Sequence, residues 1–245
     1  MDDFLLIKHL HNETKKPTMV SLNEEEWPES WKTVEFKEYP RMPQTPLPEP
    51  QDLTIQFGDL LKKRSSKRDF DNTQSLSLQT LSNILHWGAG LRLNKKRPQH
   101  SFRFYASGGA RYPLEVYISF VGNKDIAQGI YHYNVKLHTL EKIGGAKEDT
   151  RVRELWNYPW VKDASAIVFI TGMFERTIRK YRERGYRFVH LDAGALLQNF
   201  YLVSEACGVG CSAVGTIIDD EISNIFDLDE REDFIIHLAT GHLKK

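Results

Sequence analysis

The segment spanning residues 188–210 is the densest apolar run in the sequence, and it constrains the fold more than any other feature. At the helical period of 3.6 residues, its apolar side chains point in nearly every direction around the axis. We expect Asp192 to cap the start of this helix and Gly208 with Gly210 to end it. A helix without a continuous polar face has to be covered on several sides, either inside one core or at a subunit interface. Its apolar positions are Leu191, Ala195, Leu196, Leu197, Phe200, Val203, Ala206 and Cys207.

The segments around this helix predict further helices interspersed with strands, which is typical of an α+β domain. Ser77 is placed to cap an amphipathic helix that ends near Gly88. After the central helix, residues 211–216 are small enough for a ligand to approach the backbone closely, and Asp219 begins a short helix. The predicted strands are residues 114–121, 129–134, 138–143, 164–171 and 234–239, of which the second and third form a hairpin.

The first 52 residues differ from the rest of the chain because prolines repeatedly interrupt any regular period. They nevertheless contain too many aromatic side chains for a disordered tail. We therefore predict an N-terminal arm, residues 1–52, that packs on the body or on a partner subunit, followed by one domain, residues 53–245. The aromatic residues are Trp27, Trp31, Phe36 and Tyr39, and the prolines are Pro28, Pro40, Pro43, Pro46, Pro48 and Pro50.

Composition excludes several classes of function. The chain has 33 basic and 33 acidic residues, so nothing in its charge argues for nucleic-acid binding. No apolar run reaches the roughly 18 residues needed to span a bilayer, and the acidic N-terminus is not a secretory signal. Cys207 and Cys211 have no metal-ligand spacing and are interpreted as core thiols. We expect a cytoplasmic protein without membrane or nucleic-acid partners.

A basic cluster follows the predicted helix around Leu60. Residues 62–70 contain several cations interleaved with two serines, a pattern suited to binding an oxyanion such as a phosphate. The alternative is a solvated basic turn. A second candidate is the small-residue stretch 107–110, whose backbone amides could bind the edge of a flat heterocycle or a phosphate. Neither stretch has the spacing of a Walker A or dinucleotide-binding motif.

The segment 175–187 carries a lysine beside a tyrosine. If the segment is one helix, Lys180 shares a face with Arg176 and Arg184, and the like charges disfavour its ammonium form. A lysine in that setting, with Tyr181 next to it, could accept or donate a proton. The alternative is a solvated helix in which the cations pair with nearby glutamates.

Together these segments resemble the nitroreductase-like flavoproteins, and more closely the SagB-type dehydrogenases, the azoline oxidases of thiazole- and oxazole-containing peptide biosynthesis. Residues 64–70 resemble the R-x-S-x-R-x-F flavin-phosphate motif of that family. Residues 106–115 resemble its P-S-x-G-A-x-Y-P-L-E stretch, with Ala106 in place of the proline. Residues 191–199 with Gly208 and Gly210 resemble its central helix, and residues 11–16 and 31–50 resemble its N-terminal arm. The match covers nearly the whole chain.

The resemblance implies a three-layer α+β fold in which a central mixed, mainly antiparallel sheet is flanked by helices and a long buried helix lies at a homodimer interface. It also implies FMN, bound non-covalently at that interface. Arg64, Ser65, Ser66 and Arg68 would hold the phosphate, ribityl chain and pyrimidine edge. Ser107, Gly108 and Gly109 would line the ring, from the same or the other subunit, and Val214 and Gly215 match the loop whose amide faces N5.

The resemblance further implies the activity. Lys180 and Tyr181 match a catalytic pair that azoline oxidases carry and ordinary nitroreductases do not. We expect an FMN-dependent dehydrogenase that oxidises a thiazoline or oxazoline in a peptide or carrier-tethered substrate. A cyclodehydratase or a peptide synthetase is the candidate partner. Either residue of the pair could be the base. The alternatives are an NAD(P)H-dependent nitro- or quinone reductase and a non-catalytic docking subunit of the same fold.

Overall fold

The computed structural model describes residues 5–15, 23–92, 102–215 and 219–244. Lys16 and Thr216, each at the end of one of the predicted segments, lie outside these ranges. The helices are α1 (Leu5–Lys15), α2 (Glu29–Lys32), α3 (Phe57–Lys63), α4 (Leu78–Ala89), α5 (Ala146–Glu154), α6 (Pro159–Lys162), α7 (Glu175–Tyr181), α8 (Arg184–Ala206) and α9 (Asp219–Phe226). The strands are β1 (Gln44–Pro46), β2 (Leu91–Arg92), β3 (Phe102–Arg103), β4 (Leu114–Phe120), β5 (Gly129–Asn134), β6 (Thr139–Gly144), β7 (Ala166–Met173), β8 (Gly210–Val214) and β9 (Glu232–Gly241).

Seven strands form the central sheet in the order β1-β6-β5-β4-β7-β9-β8, while β2 and β3 form a separate two-stranded ladder. The predicted hairpin is confirmed, because β5 pairs antiparallel with β6. Every pairing among the described strands of the sheet is antiparallel. The mainly antiparallel sheet is therefore confirmed, and its expected parallel component is absent from the described ranges.

The sheet separates two hydrophobic cores, which makes the fold three-layered. Because side chains alternate across a strand, Ile118 and Val168 face a core shared with α4 and α8, whereas Tyr117 and Phe169 face the opposite one. That second core contains side chains from α5, α6 and α9. The three-layer α+β class is thus confirmed. Within the described ranges no helix combines the length and the apolar character needed to cross a bilayer.

Helix α8 is the central helix, but its N-cap lies nine residues before the position that the sequence predicted. Asp192 lies inside the helix with its side chain buried, so the prediction that it is the N-cap was wrong. Two arginines in the first turn of α8 form hydrogen bonds with α1. Arg184 donates to the Lys15 carbonyl and Arg187 donates to the Thr14 hydroxyl. The end of α8 follows the prediction, with Gly208 in the left-handed region at φ 72°.

One side of α8 packs on the sheet and on α4, and the other side is open in the single chain. Phe200 is fully buried against α4, next to Gly88. On the opposite side, Leu191 is 68% exposed, and Gly194 and Gln198 are exposed as well. These three positions recur at helical spacing, so they form one stripe that nothing covers within the described part of the chain.

The predicted arm contacts the body at several points. Residues 44–46 form β1, which is an edge strand of the central sheet through its pairing with β6. The Tyr39 amide donates to the buried Glu141 carboxylate at 3.0 Å. Arg111 donates hydrogen bonds to three carbonyls between residues 30 and 33. The division into an arm and a body at residue 52 stays a prediction.

Gly88→Ala should destabilise the fold although alanine is the better helix former. An added Cβ would lie 2.6 Å from Cε1 of Phe200, whose ring is fully buried. We expect this overlap to outweigh the helix-propensity gain and lower the free energy of unfolding by about 1–3 kcal/mol. Urea unfolding followed by circular dichroism measures the change.

Gly58→Ala is the matched control. Gly58 lies in α3, and a Cβ there would meet no atom of the described residues within 4 Å. This variant should be stabilised by about 0.5–1 kcal/mol. Equal or greater stability of Gly88→Ala would contradict the close contact between α4 and α8.

Candidate functional site

The basic cluster lies on the loop between α3 and residue 70, and backbone hydrogen bonds hold this loop in place. The Lys67 amide donates to the Cys211 carbonyl in β8 at 3.0 Å, and the Lys244 amide donates to the Asp69 carbonyl at 3.0 Å. Phe70 is buried and forms a β-bridge with Leu243. The loop is therefore fixed between β8 and the C-terminal segment, with its polar side chains directed outward.

The side chains predicted to bind phosphate share this loop. The Arg64 guanidinium lies over the Tyr201 ring at 5.4 Å, and the Arg68 guanidinium lies over the Trp160 ring at 5.5 Å. Ser65, Ser66 and Arg68 are exposed, while Arg64 is half-buried.

The charge of this loop is only partly compensated. Lys67 forms an ion pair with Glu205 at 2.5 Å. In contrast, neither Arg64 nor Arg68 pairs with a carboxylate in the described part of the chain. Two guanidinium groups next to the hydroxyls of Ser65 and Ser66 suit a phosphate, which accepts charge-assisted hydrogen bonds.

Tyr201 joins this loop to β8, and sequence analysis missed it. Its hydroxyl lies 3.1 Å from Ser66 Oγ and accepts a hydrogen bond of 2.7 Å from the Ala213 amide. Val214 and Gly215 follow directly, so the structure brings them to the same end of β8 as the loop. Among the described residues, a Cβ at Gly215 would meet only Ile236, at 3.9 Å, so these residues leave space beside this backbone. The signal for Tyr201 was a hydroxyl in an otherwise apolar run.

The second group is built around the loop 107–109 and Asp192. The Asp192 carboxylate accepts hydrogen bonds from Ser107 Oγ at 2.5 Å and from the Gly108 amide at 3.0 Å. Gly109 has φ 62°, and a Cβ there would overlap the Tyr181 hydroxyl. This position therefore requires glycine on two independent grounds. The loop presents backbone with little side-chain bulk, which suits contact with a flat ring.

Asp192 is a functional candidate that the sequence did not identify as one. Its side chain is only 4% exposed. Burial raises the pKa of Asp192 to about 6, although its hydrogen bonds to Ser107 and Gly108 oppose this increase. At neutral pH the carboxylate is mostly ionised and can accept both hydrogen bonds, so it fixes the position of the loop.

The predicted catalytic pair is divided between two environments. Tyr181 belongs to the second group: its hydroxyl is next to Gly109, and its ring makes an edge contact with Phe188 at 4.9 Å. Burial raises the pKa of the Tyr181 phenol. Lys180 instead places its ammonium over the ring of Trp27 in the arm, 3.7 Å from the centroid.

The predicted row of like charges around Lys180 is wrong for Arg184, whereas Arg176 and Lys180 do lie four residues apart on α7. Helix α7 ends at Tyr181, and Arg182 at φ 47° redirects the chain before α8 begins, so Arg184 is not on the same helix. Arg176 is buried and bonded to Glu115 at 2.5 Å. Sequence spacing suggested one continuous helix because no glycine or proline marks the break at Arg182.

The two groups lie on opposite sides of α8. Asp192 holds one group and Tyr201 contacts the other, and they are nine residues apart. At 100° and 1.5 Å per residue, nine residues correspond to a half-turn difference in direction and a rise of about 13 Å. Within one chain, the two groups therefore cannot enclose the same side of one planar ligand.

The chain is similar to one protein family and to several individual proteins. The model of the nitroreductase family matches residues 61–242. MJ1384 of Methanocaldococcus jannaschii, provisionally named a nitroreductase, is 30% identical over 189 residues, which are 75% of this chain and 89% of that protein. The trifolitoxin-processing protein TfxB of Rhizobium leguminosarum is 30% identical over 59% of this chain and 42% of its own length.

The microcin B17-processing protein McbC of Escherichia coli is 27% identical over 66% of this chain and 61% of its own length. The chain thus spans less than two thirds of each of the two processing proteins. Among solved structures, one from Anabaena variabilis has a TM-score of 0.73 at 21% identity and covers 98% of this chain and 47% of that one.

A chain of the E. coli microcin synthetase McbBCD complex, solved with truncated pro-MccB17, has a TM-score of 0.63 at 20% identity and covers 98% of this chain and 92% of that one. A protein of Exiguobacterium sibiricum, solved in complex with FMN, has a TM-score of 0.54 at 13% identity and covers 79% and 91%. These structures have the fold that the sequence predicted.

Asp192→Asn should flatten the pH dependence of stability. The pKa of this group rises from 3.8 to about 6 in the fold. Between those values the native state binds a proton that the unfolded chain lacks, so the free energy of unfolding falls as pH rises from about 4 to about 6. Allowing for solvent screening, we expect a loss on the order of 2 kcal/mol in the wild type.

Urea unfolding at several pH values between 4 and 7.5 measures this effect. The asparagine variant should lack the decline, because its side chain does not ionise. Asp59→Asn, at an exposed position of α3, should keep the wild-type profile. A full decline in Asp192→Asn would mean that another group causes it.

Proposed function

The chain belongs to the nitroreductase family of oxidoreductases, and from this we propose that it is an FMN-dependent dehydrogenase that oxidises a thiazoline or oxazoline to the aromatic azole during peptide natural-product biosynthesis. The observation that carries the proposal is the position of Tyr181. Its hydroxyl lies against the Gly109 backbone, in the loop proposed to line the flavin. Similarity to proteins that process trifolitoxin and microcin B17 supports the substrate class.

The donor set fits FMN. Arg64, Ser65, Ser66 and Arg68 supply cations and hydroxyls for the phosphate, ribityl chain and pyrimidine edge. The other residues supply backbone with space beside it: Ser107, Gly108 and Gly109 for the face of the ring, and Val214 and Gly215 for the N5 edge. FMN, when bound, supplies the two-electron redox change by accepting hydride. A structural relative was solved with FMN, which agrees with this assignment.

A homodimer accounts for two features of the single chain. The two groups of flavin-binding candidates lie on opposite sides of α8, so a complete site needs the loop 107–109 of a second subunit. In addition, the stripe of Leu191, Gly194 and Gln198 is open in the described chain, and burial of apolar surface drives association. We propose that two copies pack along α8 and share two flavin sites.

The catalytic pair has the chemistry that azoline oxidation needs. Oxidation to the aromatic ring requires loss of the proton on the carbon alpha to the carbonyl, and hydride leaves the neighbouring carbon. Burial raises the pKa of Tyr181, so its phenol is protonated at neutral pH and suits hydrogen-bond donation to the substrate. We assign the base role to Lys180 and the donor role to Tyr181.

The similarity to a chain of a microcin synthetase complex also suggests a partner. We propose that a cyclodehydratase or a peptide synthetase delivers the azoline as part of a peptide or a carrier-tethered intermediate, in the cytoplasm. The alternative functions that the sequence left open were an NAD(P)H-dependent reductase and a non-catalytic docking subunit. Similarity to the archaeal protein named as a nitroreductase favours the reductase as the second candidate.

Anaerobic spectroscopy separates these functions. Rapid bleaching of the bound flavin by NADPH, together with no bleaching by an azoline, would favour the reductase. Bleaching by a thiazoline peptide without NADPH would support the dehydrogenase. Protein that is colourless and does not take up FMN would support the docking role.

Lys180→Ala combined with Tyr181→Phe should abolish azoline oxidation without removing the cofactor. Loss of a positioned acid or base costs about 100- to 10,000-fold in rate. The flavin should stay bound because neither side chain is among the predicted phosphate ligands. Product formation is measured by mass spectrometry and flavin content by absorbance. Lys147→Ala, which removes an exposed lysine from α5, is the control and should oxidise at the wild-type rate. Normal oxidation by the double variant would reject the assignment of the pair.

Arg64→Ala should weaken FMN binding by about 10- to 100-fold, since a charge-assisted hydrogen bond to phosphate contributes roughly 1.5–3 kcal/mol. Quenching of flavin fluorescence during titration of the apoprotein measures the dissociation constant. Arg151→Ala removes an exposed arginine from α5 and should bind FMN as the wild type does. Equal weakening in both variants would point to net charge as the cause and not to the loop.

A further inference from the structure

Three aromatic rings surround the ammonium of Lys180, and two of them come from the N-terminal arm. Lys180 Nζ lies 3.7 Å from the ring centroid of Trp27 and 5.6 Å from that of Trp31. The third ring is Tyr181, also at 5.6 Å. The two indoles contact each other edge to face, with centroids 6.3 Å apart. We call Trp27, Trp31 and Tyr181 the aromatic box.

The faces of these rings attract a cation more than a neutral amine, because the π-electrons carry a negative quadrupole. Indole is the strongest of the aromatic side chains in this respect, and the shortest contact is made by Trp27. The box therefore acts on charge and position together: it lowers the free energy of the ammonium and limits the directions that the flexible lysine side chain can take.

Hydrogen bonds connect the box to both elements that carry the proposed site. Arg111, two residues after Gly109, donates to the carbonyls of Ser30 at 2.7 Å, Trp31 at 2.5 Å and Thr33 at 2.8 Å. Its Nε donates to the Arg176 carbonyl in α7 at 3.3 Å. One buried guanidinium thus joins the arm, the loop 107–109 and α7.

The arm is attached to α7 a second time. Trp31 Nε1 donates to the Arg179 carbonyl at 3.3 Å, directly before Lys180 in the chain. Glu35 pairs with Arg179 at 3.1 Å on the surface of the same helix. These contacts hold Trp31 where the lysine side chain leaves the helix, and Trp27 packs edge to face against Trp31.

We propose that Trp27 and Trp31 are positioning residues for Lys180: the N-terminal arm completes the active site by holding the ammonium that forms when this lysine removes the proton from the substrate. This inference rests on the proposed function. In the step concerned, the carbon–hydrogen bond alpha to the carbonyl breaks, its proton forms a new N–H bond on the lysine amine, and the electron pair stays with the substrate. The rings stabilise the charge that the lysine gains.

The contact itself is tested without any reaction. In wild-type protein, the methylene protons next to Nζ of Lys180 should be shielded by the ring current of Trp27 and appear upfield of the other lysines in a ¹H–¹³C NMR spectrum. Lys180→Arg identifies the signal. Trp27→Ala should return it to the range of exposed lysines. Trp87→Ala, whose ring contacts His86 and Phe104 instead, should leave it in place.

The functional part is tested by turnover of a thiazoline peptide. Trp27→Ala should lower kcat about 5- to 30-fold, in line with the range of cation–π interactions from exposed to desolvated sites. KM and flavin content should change little. Trp27→Phe keeps a ring face and should stay within about threefold of the wild type. Trp87→Ala should keep the wild-type kcat.

A double-mutant cycle separates positioning from a merely structural role. In a Lys180→Ala background, Trp27→Ala should cause no additional loss, because the group on which the ring acts is already absent. An additive loss, or an unshifted NMR signal in the wild type, would overturn the proposal. If the wild type shows the shielded signal but oxidises no azoline, the proposed function fails while the contact between Trp27 and Lys180 stands.

Discussion

The apolar circumference of α8 is the constraint on which the rest of the structure depends. A helix of 23 residues with apolar side chains in most directions cannot bury all of them against one neighbouring layer. Its buried side takes the sheet and α4, where Gly88 allows Phe200 to approach the α4 backbone. Its open stripe is left for another surface. The remaining directions carry Asp192 and Tyr201, which are both buried and form hydrogen bonds with Gly108 and Ser66 respectively.

The polar interior of the fold secures the arm, and it does so through paired groups. Glu115 accepts from the buried Arg176 and lies next to His132, which also contacts Glu141. Burial disfavours the charged ring, but hydrogen bonds to both carboxylates outweigh it and raise the pKa of His132. A buried charge that loses its partner is costly. The arm is held by this network, since the Tyr39 amide also donates to Glu141.

The features that the sequence predicted correctly are those that depend on a short stretch of neighbouring residues. The Ser77 cap, the hairpin of β5 and β6 and the glycine at the end of α8 all depend on neighbours within a few positions. The predicted start of α8 was wrong for a related reason. Arg184 and Arg187 interrupt the apolar pattern, but both donate hydrogen bonds to residues of α1. A local pattern does not contain such distant partners. The same holds for the redirection of the chain at Arg182.

In the candidate site too, local features were predicted from the sequence and distant contacts were missed. The motifs around Arg64 and Ser107 were recognisable because their residues are consecutive, and they led to the family. Tyr201 was missed, and so were the roles of Asp192 and Arg111, because each acts on residues far away in the chain; Arg111 and Trp31 are 80 positions apart. The aromatic content of the arm predicted that it packs, but not against what. The surface that the arm covers includes Lys180. Tryptophans that needed only burial could lie on any part of the body, whereas both Trp27 and Trp31 contact the ammonium that is proposed to take part in the reaction. Their position therefore has a chemical reason in addition to the hydrophobic one.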